Sequence, residues 1–244
     1  DDAAREAVAL SRDMDTRIID ASTAHRVDAA WAFGFPELNA GARDRIAGAR
    51  LVSNPGCYST GAIAIVAPLV AAGLIDETEA LSINAVSGYT GGGKALIAEY
   101  DSGAAPVHFV YGLNQRHKHI PEIMAHAGLS RQPVFAPAVG NFAQGMAVQV
   151  PLFLDGRRTL DSLTRVLADH YAGQRFIEVA QGAGPRIVPT DLNNTNMLRI
   201  TVQGDAQNGC ATVVAVLDNL GKGASGAAVQ NLNIMLGVDE GSGL

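Results

Sequence analysis

Positive charge is scarce in this chain and never bunched: 18 lysines and arginines stand against 24 acids, for a net charge of −6. Without a Lys/Arg run, nucleic acid and anionic membrane surfaces are excluded as general partners. Cysteine is rarer still. Cys57 and Cys210 are the whole complement; they lie far apart in unlike settings, so no disulfide framework is expected and a reducing cytoplasm is the expected location. No apolar stretch is long enough to cross a bilayer. The longest, Gly61 to Ile75, contains Pro68 and many alanines and reads as a buried helix. Glycine, abundant at 27, is missing from everything before Gly34. What is there is a globular, enzyme-like composition, 48% hydrophobic and 17% charged, in a chain suited to one large or two small domains.

Residues Asp1 to Leu10 read as a helix already under way, and the short strand Thr16–Asp20 follows it. A helix feeding a strand with no strand before it reads as a βαβ unit lacking its front. Further strands are expected at Ala80–Val86, Val107–Tyr111, Val134–Val139, Ala147–Leu154, Phe176–Ala180, Met197–Gln203 and Ala211–Leu217, several with alternating apolar and polar residues. Helices are expected at Ser59–Ala72, Lys94–Tyr100, Pro121–Ala127, Leu160–Tyr171 (with Thr159 as N-cap) and Ala227–Leu236. The succession of strands after residue 130 predicts a mostly antiparallel sheet with helices on one face. The fold class is therefore α/β at the front joined to α+β behind.

Ser53-Asn-Pro-Gly-Cys57-Tyr-Ser-Thr60 sets a cysteine just ahead of a helix. A thiol there sits at the positive end of the macrodipole beside unpaired N–H groups, which favour thiolate and can hold an oxyanion. The competing reading is a small buried hydrophobe. Cys210, in Gly209-Cys-Ala-Thr-Val-Val, reads as core. His117-Lys-His119-Ile-Pro-Glu122 puts two histidines before a helix opened by Pro121. Either is a candidate acid/base for the thiol, and Glu122 could orient one imidazole. A solvated basic turn and a His-x-His metal site are the alternatives.

Gly88-Tyr-Thr-Gly-Gly-Gly93-Lys94-Ala95 approaches the P-loop pattern but lacks the hydroxyl that follows its lysine. Its backbone N–H groups and Lys94 still suit a phosphate or other anion, so a phosphate-binding module of P-loop type is a rival from another class. A second glycine-rich turn, Asp218-Asn219-Leu-Gly-Lys222-Gly223, permits close approach of a flat ligand.

Together these segments resemble the N-acetyl-γ-glutamyl-phosphate reductases of arginine biosynthesis, in their shorter form. Asn54-Pro-Gly-Cys-Tyr58 with Thr60-Gly61 resembles the family's active-site motif. Asp20-Ala-Ser22-Thr-Ala-His-Arg26 resembles its Asp-x-Ser-x-x-x-Arg segment, and Trp31-Ala-Phe-Gly-Phe-Pro-Glu37 its Tyr-Gly-x-x-Glu segment. Ser87–Lys94, His117–Glu122 and Asp218–Gln230 match in order as well. The resemblance runs from about Asp2 to Leu236. Aspartate-semialdehyde dehydrogenase shares the chemistry and the Lys-Gly-Ala-x-Gly ending, but there Asn directly precedes the cysteine, whereas here Gly56 does.

The resemblance implies NADP(H)-linked reduction of a small acyl phosphate to an aldehyde through a cysteine thioester, in a homo-oligomer, dimer or tetramer. It implies Cys57 as nucleophile, His119 in preference to His117 as acid/base, and Ser22, Ser87, Gly88, Asn219, Lys222 and Gly223 around the cofactor. Asn54, Tyr89, Lys94, Arg116 and Glu122 are its substrate candidates. No metal is implied. Residues 1–56 would be the end of a Rossmann-type NADP-binding domain and 57–217 a glyceraldehyde-3-phosphate-dehydrogenase-like catalytic and oligomerisation domain. Residues 218–244 would return to the first. The family's opening G-x-x-G-x-x-G turn is not found before Asp20, so relative to the family the chain reads as truncated at its N-terminus.

Overall fold

A computed structural model describes residues 1–182 and 184–244. Near the start, strands β1 (Ile18–Asp20), β2 (Ala32–Phe33) and β3 (Leu51–Ser53) form a parallel sheet ordered β1-β3-β2. Helix α1 (Asp2–Leu10) precedes them with no buried residue, and α2 (Ala42–Gly48) lies between β2 and β3. The last helix, α7 (Gly226–Leu236), returns to this sheet, and Ile46, Val52, Ile234 and Met235 make a small core with it. The sequence pattern did not anticipate β2, α2 or β3. The two or three residues of β2 and β3 are too few to display a period, and α2 is only two turns long.

The larger sheet has seven strands, ordered β5-β6-β4-β7-β10-β9-β8. They are β4 (Ser82–Gly88), β5 (His108–Val110), β6 (Val134–Gly140), β7 (Met146–Phe153), β8 (Ile177–Ala180), β9 (Leu198–Asp205) and β10 (Cys210–Leu217). β4–β6 and β8–β9 pair in parallel and the other neighbours antiparallel. The mostly antiparallel sheet expected from the spacing is present. Helices α3 (Cys57–Ala71), α5 (His119–Ala127) and α6 (Leu160–His170) cover one face, and their apolar residues join the sheet in the main core. α4 (Gly93–Asp101) sits at the edge, after a 3₁₀ turn at Tyr89–Gly92.

Helix α3 is the buried centre, apolar on nearly every side, as Gly61 to Ile75 predicted. Pro68 inside it has no N–H to give the carbonyl four residues earlier. That carbonyl, Ala64 O, instead accepts the Tyr171 hydroxyl at 2.8 Å. α6 begins as expected at Thr159, whose side chain accepts Ser162 N–H while Ser162 Oγ accepts Thr159 N–H, a reciprocal cap. The helix-free face is partly covered by a cluster of Ala147, Leu192, Val214 and Val216. Beyond it, Val134 and Phe153 stand exposed.

Cys210 is a correction. It lies at the open end of β10, paired with Asp205 and Phe153, and it is exposed rather than in the core. No helix among the described residues is long and apolar enough to cross a membrane.

Candidate active site

β1 and β3 run parallel and end side by side, and the chain leaving β3 turns at once into α3. Asn54 is the hinge between them. Its N–H donates to Asp20 O at 2.7 Å, its Nδ2 donates to Ala224 O at 2.9 Å, and its Oδ1 accepts Asn231 Nδ2 at 3.1 Å. Pro55 and Gly56 follow, and Cys57 opens the helix. Gly56 is required by space: a Cβ there would collide with His119 Nε2 and Arg26 Nη1. Gly223 faces the thiol from the other side, where a Cβ would come within 2.9 Å of Cys57 Cβ.

Glu122, buried in α5, secures this loop from behind. Its Oε1 accepts Gly56 N–H at 2.8 Å, and its Oε2 accepts Ser59 Oγ–H at 2.7 Å and Arg26 Nη1 at 3.4 Å. The carboxylate thus holds the cysteine loop and does not orient an imidazole, as one reading of the spacing had it. With both oxygens engaged, it is also not a substrate ligand.

The loop opens on a cleft of about 280 Å³ whose walls include Cys57, His117, His119, Arg26, Lys118 and Tyr111. α5 begins at His119, two residues before the expected Pro121, so His119 is fixed by helix geometry. Its N–H donates to His117 Nδ1 at 3.2 Å, which leaves the His117 proton on Nε2. Burial depresses His117 to about 4. It pushes His119 well below the usual range, with help from the neighbouring His117, Arg26 and Lys118. Both imidazoles are therefore neutral at pH 7. His119 Nδ1 is buried without a hydrogen-bond partner.

Desolvation pushes the Cys57 thiol up to about 11, against the pull of Tyr58 N–H, Arg26 and Lys118, while Glu122 pushes with it. The helix terminus alone was expected to favour thiolate; in this cleft burial outweighs it. The thiol is half-buried and needs a base beside it to react at neutral pH.

The other candidates divide. Asn54, Asn219 and Gly223 line the cleft. Asn219 spends its side chain on structure, accepting Gly145 N–H at 2.7 Å and donating to Thr90 Oγ1 at 3.0 Å. Ser87 and Gly88 line an adjoining chamber instead. Ser22 caps Asp20, its Oγ–H donating to Asp20 Oδ2 at 2.8 Å.

Lys222 is not in the cleft: it is buried, with Nζ at 2.8 and 2.9 Å from the Glu37 oxygens and 2.7 Å from Gln230 Oε1. Tyr89 stacks on Tyr100 with ring centroids 4.5 Å apart. Lys94 and Arg116 are exposed and line neither space, so the P-loop reading loses its lysine. Arg26 and Lys118 were not singled out for the site, although both lie inside quoted motifs. The signal was their place in those motifs, with Lys118 between the two histidines; what it could not convey was direction. Among the described residues no cluster of His, Cys, Asp or Glu suits a metal.

Comparison with known proteins shows which family the chain is similar to. Residues 57–219 match the family described as "Semialdehyde dehydrogenase, dimerisation domain". Over 97% of its length the chain is 53% identical to 80% of the N-acetyl-gamma-glutamyl-phosphate reductase of Brucella anthropi. It belongs to the N-acetyl-gamma-glutamyl-phosphate reductase family. A second such reductase, from Brucella ovis, is 52% identical, covering 97% of the chain and 81% of the relative. Among solved structures, aspartate semialdehyde dehydrogenase II of Vibrio cholerae superposes with a TM-score of 0.72 at 17% identity, over 96% of this chain and 77% of that one. A probable aspartate-semialdehyde dehydrogenase of Pseudomonas aeruginosa gives 0.72 at 19% identity with the same coverage. At that identity the likeness is one of fold, a mixed α/β architecture shared by this reductase family and those dehydrogenases.

Proposed function

We propose that the chain carries out the NADPH-dependent reduction of N-acetyl-γ-glutamyl phosphate to the semialdehyde and phosphate, a step of arginine biosynthesis in the cytoplasm. The observation that carries this reading is Cys57 at the first turn of α3, set in a cleft with two neutral histidines and two cations.

In this reading His119 takes the Cys57 proton as sulfur attacks the acyl carbon. The C–S bond forms, the C–O bond to phosphate breaks, and phosphate leaves with that electron pair, drawn by Arg26 and Lys118. Unpaired N–H groups of the first α3 turn hold the carbonyl oxygen while it carries charge. When bound, NADPH supplies a hydride at the thioester carbon. Cys57 then departs as thiolate and recovers its proton from His119. The unpartnered Nδ1 of His119 is the kind of buried group that a proton-transfer role accounts for.

The cleft fits the cofactor in two respects. Ala21, Gly91, Gly93, Gly223 and Ala224 make a wall of small residues that a flat ring can approach. The carboxyl ends of the parallel strands β1 and β3 open beside it, where Rossmann-type sheets hold dinucleotides. Residues 1–56 and 218–244 are read as part of that unit. Residues 57–217 are read as a glyceraldehyde-3-phosphate-dehydrogenase-like domain. Its helix-free face, with Phe153 80% and Val134 58% exposed, suits a second copy of the chain.

Incubation with N-acetyl-γ-glutamyl phosphate in the absence of NADPH tests the reading directly. Mass spectrometry should find one N-acetylglutamyl group on the peptide containing Cys57, lost in Cys57→Ser. An unmodified Cys57, with acyl phosphate consumed or not, would remove the thioester mechanism.

A further inference from the structure

Beside the catalytic cleft lies a second space of about 200 Å³, walled by Leu96, Phe109 and Val139 and by the glycines of the loop after β4. Tyr58, Gly91 and Tyr111 line both spaces, so the chamber adjoins the cleft next to the cysteine. The Tyr58 ring is fixed: its Oη–H donates to Ala138 O at 2.8 Å. No Asp or Glu lines either space among the described residues. Glu122, behind the cysteine loop, has both oxygens occupied.

These features select the nitrogen of the substrate. A free α-ammonium entering here would be stripped of water, would meet no counter-charge, and would sit near Arg26 and Lys118. An acylated nitrogen is neutral, and its alkyl group gains from an apolar wall. We infer that the Leu96–Phe109–Val139 chamber is the subsite for the N-acyl cap, and that it admits caps longer than acetyl. This rests on the acyl-phosphate reductase reading of Cys57 and adds the determinant of its substrate class. An acetyl group occupies only part of the volume, so the methylenes of a propionyl or butyryl cap have somewhere to go.

The test compares N-acetyl-, N-propionyl- and N-butyryl-glutamate semialdehydes as substrates for phosphate-dependent oxidation by the full chain with NADP⁺. The parent protein should turn over the propionyl compound about as well as the acetyl one. Leu96→Trp, which fills the chamber from a half-buried position, should lower kcat/KM by about tenfold or more per added methylene, mainly through KM. Leu96→Ala should shift preference toward the butyryl compound. In both variants the KM for NADP⁺ and the alkylation rate of Cys57 should stay as in the parent, which also certifies folding.

N-acetylglutamate, but not glutamate, should protect Cys57 from iodoacetamide. Acyl preference unmoved by either variant, or a rise in the cofactor KM alone, would assign the chamber to another group and overturn the inference while leaving the reductase reading intact. No turnover of any semialdehyde by the parent would overturn both.

Discussion

Glu122 and Gly56, 66 residues apart in sequence, are joined by a 2.8 Å hydrogen bond from the Gly56 N–H to Oε1. Because Glu122 is one turn along α5 from His119, this bond sets the cysteine loop against the helix that carries the acid/base candidate. The same carboxylate raises the thiol and holds Arg26, which lowers it.

Replacing Glu122 by Gln removes the negative charge while keeping an acceptor. The midpoint for Cys57 alkylation should fall from the neighbourhood of 11, and Arg26→Ala should raise it, since each loses an opposite influence on the thiolate. The same replacement leaves Arg26 without its anion, a cost of about 1–3 kcal/mol in urea unfolding. Alkylation followed by mass spectrometry separates Cys57 from the exposed Cys210.

The histidines give stability a definite pH dependence. Their folded-state pKa values are depressed, so below the unfolded value of about 6.5 the unfolded chain binds protons first and stability falls as pH drops. The fall should continue through about 4, where His117 titrates. Urea midpoints measured across that interval should flatten in His119→Gln.

Lys222 and Glu37 form an ion pair buried on both sides, with Gln230 satisfying the remaining groups. Lys222→Ala strands the carboxylate and should cost about 3–5 kcal/mol. Glu37→Gln in the same chain should recover part of that loss. Thermal unfolding of the single and double variants measures both.

Gly223→Ala puts a methyl against Cys57 Cβ and within 3.1 Å of Asp218 O. It should reduce turnover by about a hundredfold, since small displacements of a reacting group are that costly. The circular dichroism spectrum should be unchanged.

Much of the architecture is legible in the sequence, because it rests on local pattern. Alternating residues such as those of Leu198–Asp205, the run Gly61–Ile75 and the Thr159 cap announce themselves over a few neighbours. The short parallel strands β2 and β3 do not, since they exist only by pairing, β2 with β3 and β3 with β1.

At the site the same division holds. Order along the chain identifies Cys57 at a helix start and the two histidines at another, and names the family by its motifs. Which polar groups face the cleft is decided by long-range partners. Lys222 reads like a ligand but is claimed by Glu37, and Glu122 reads like an imidazole partner but is claimed by Gly56 and Ser59. Arg26, which was not marked, is carried to the thiol by its bonds to Asn54 O and Ala21 O. Residue type and spacing state what a side chain is able to do. Only the packed chain, by satisfying or leaving unsatisfied each buried charge, decides which of those capacities is used.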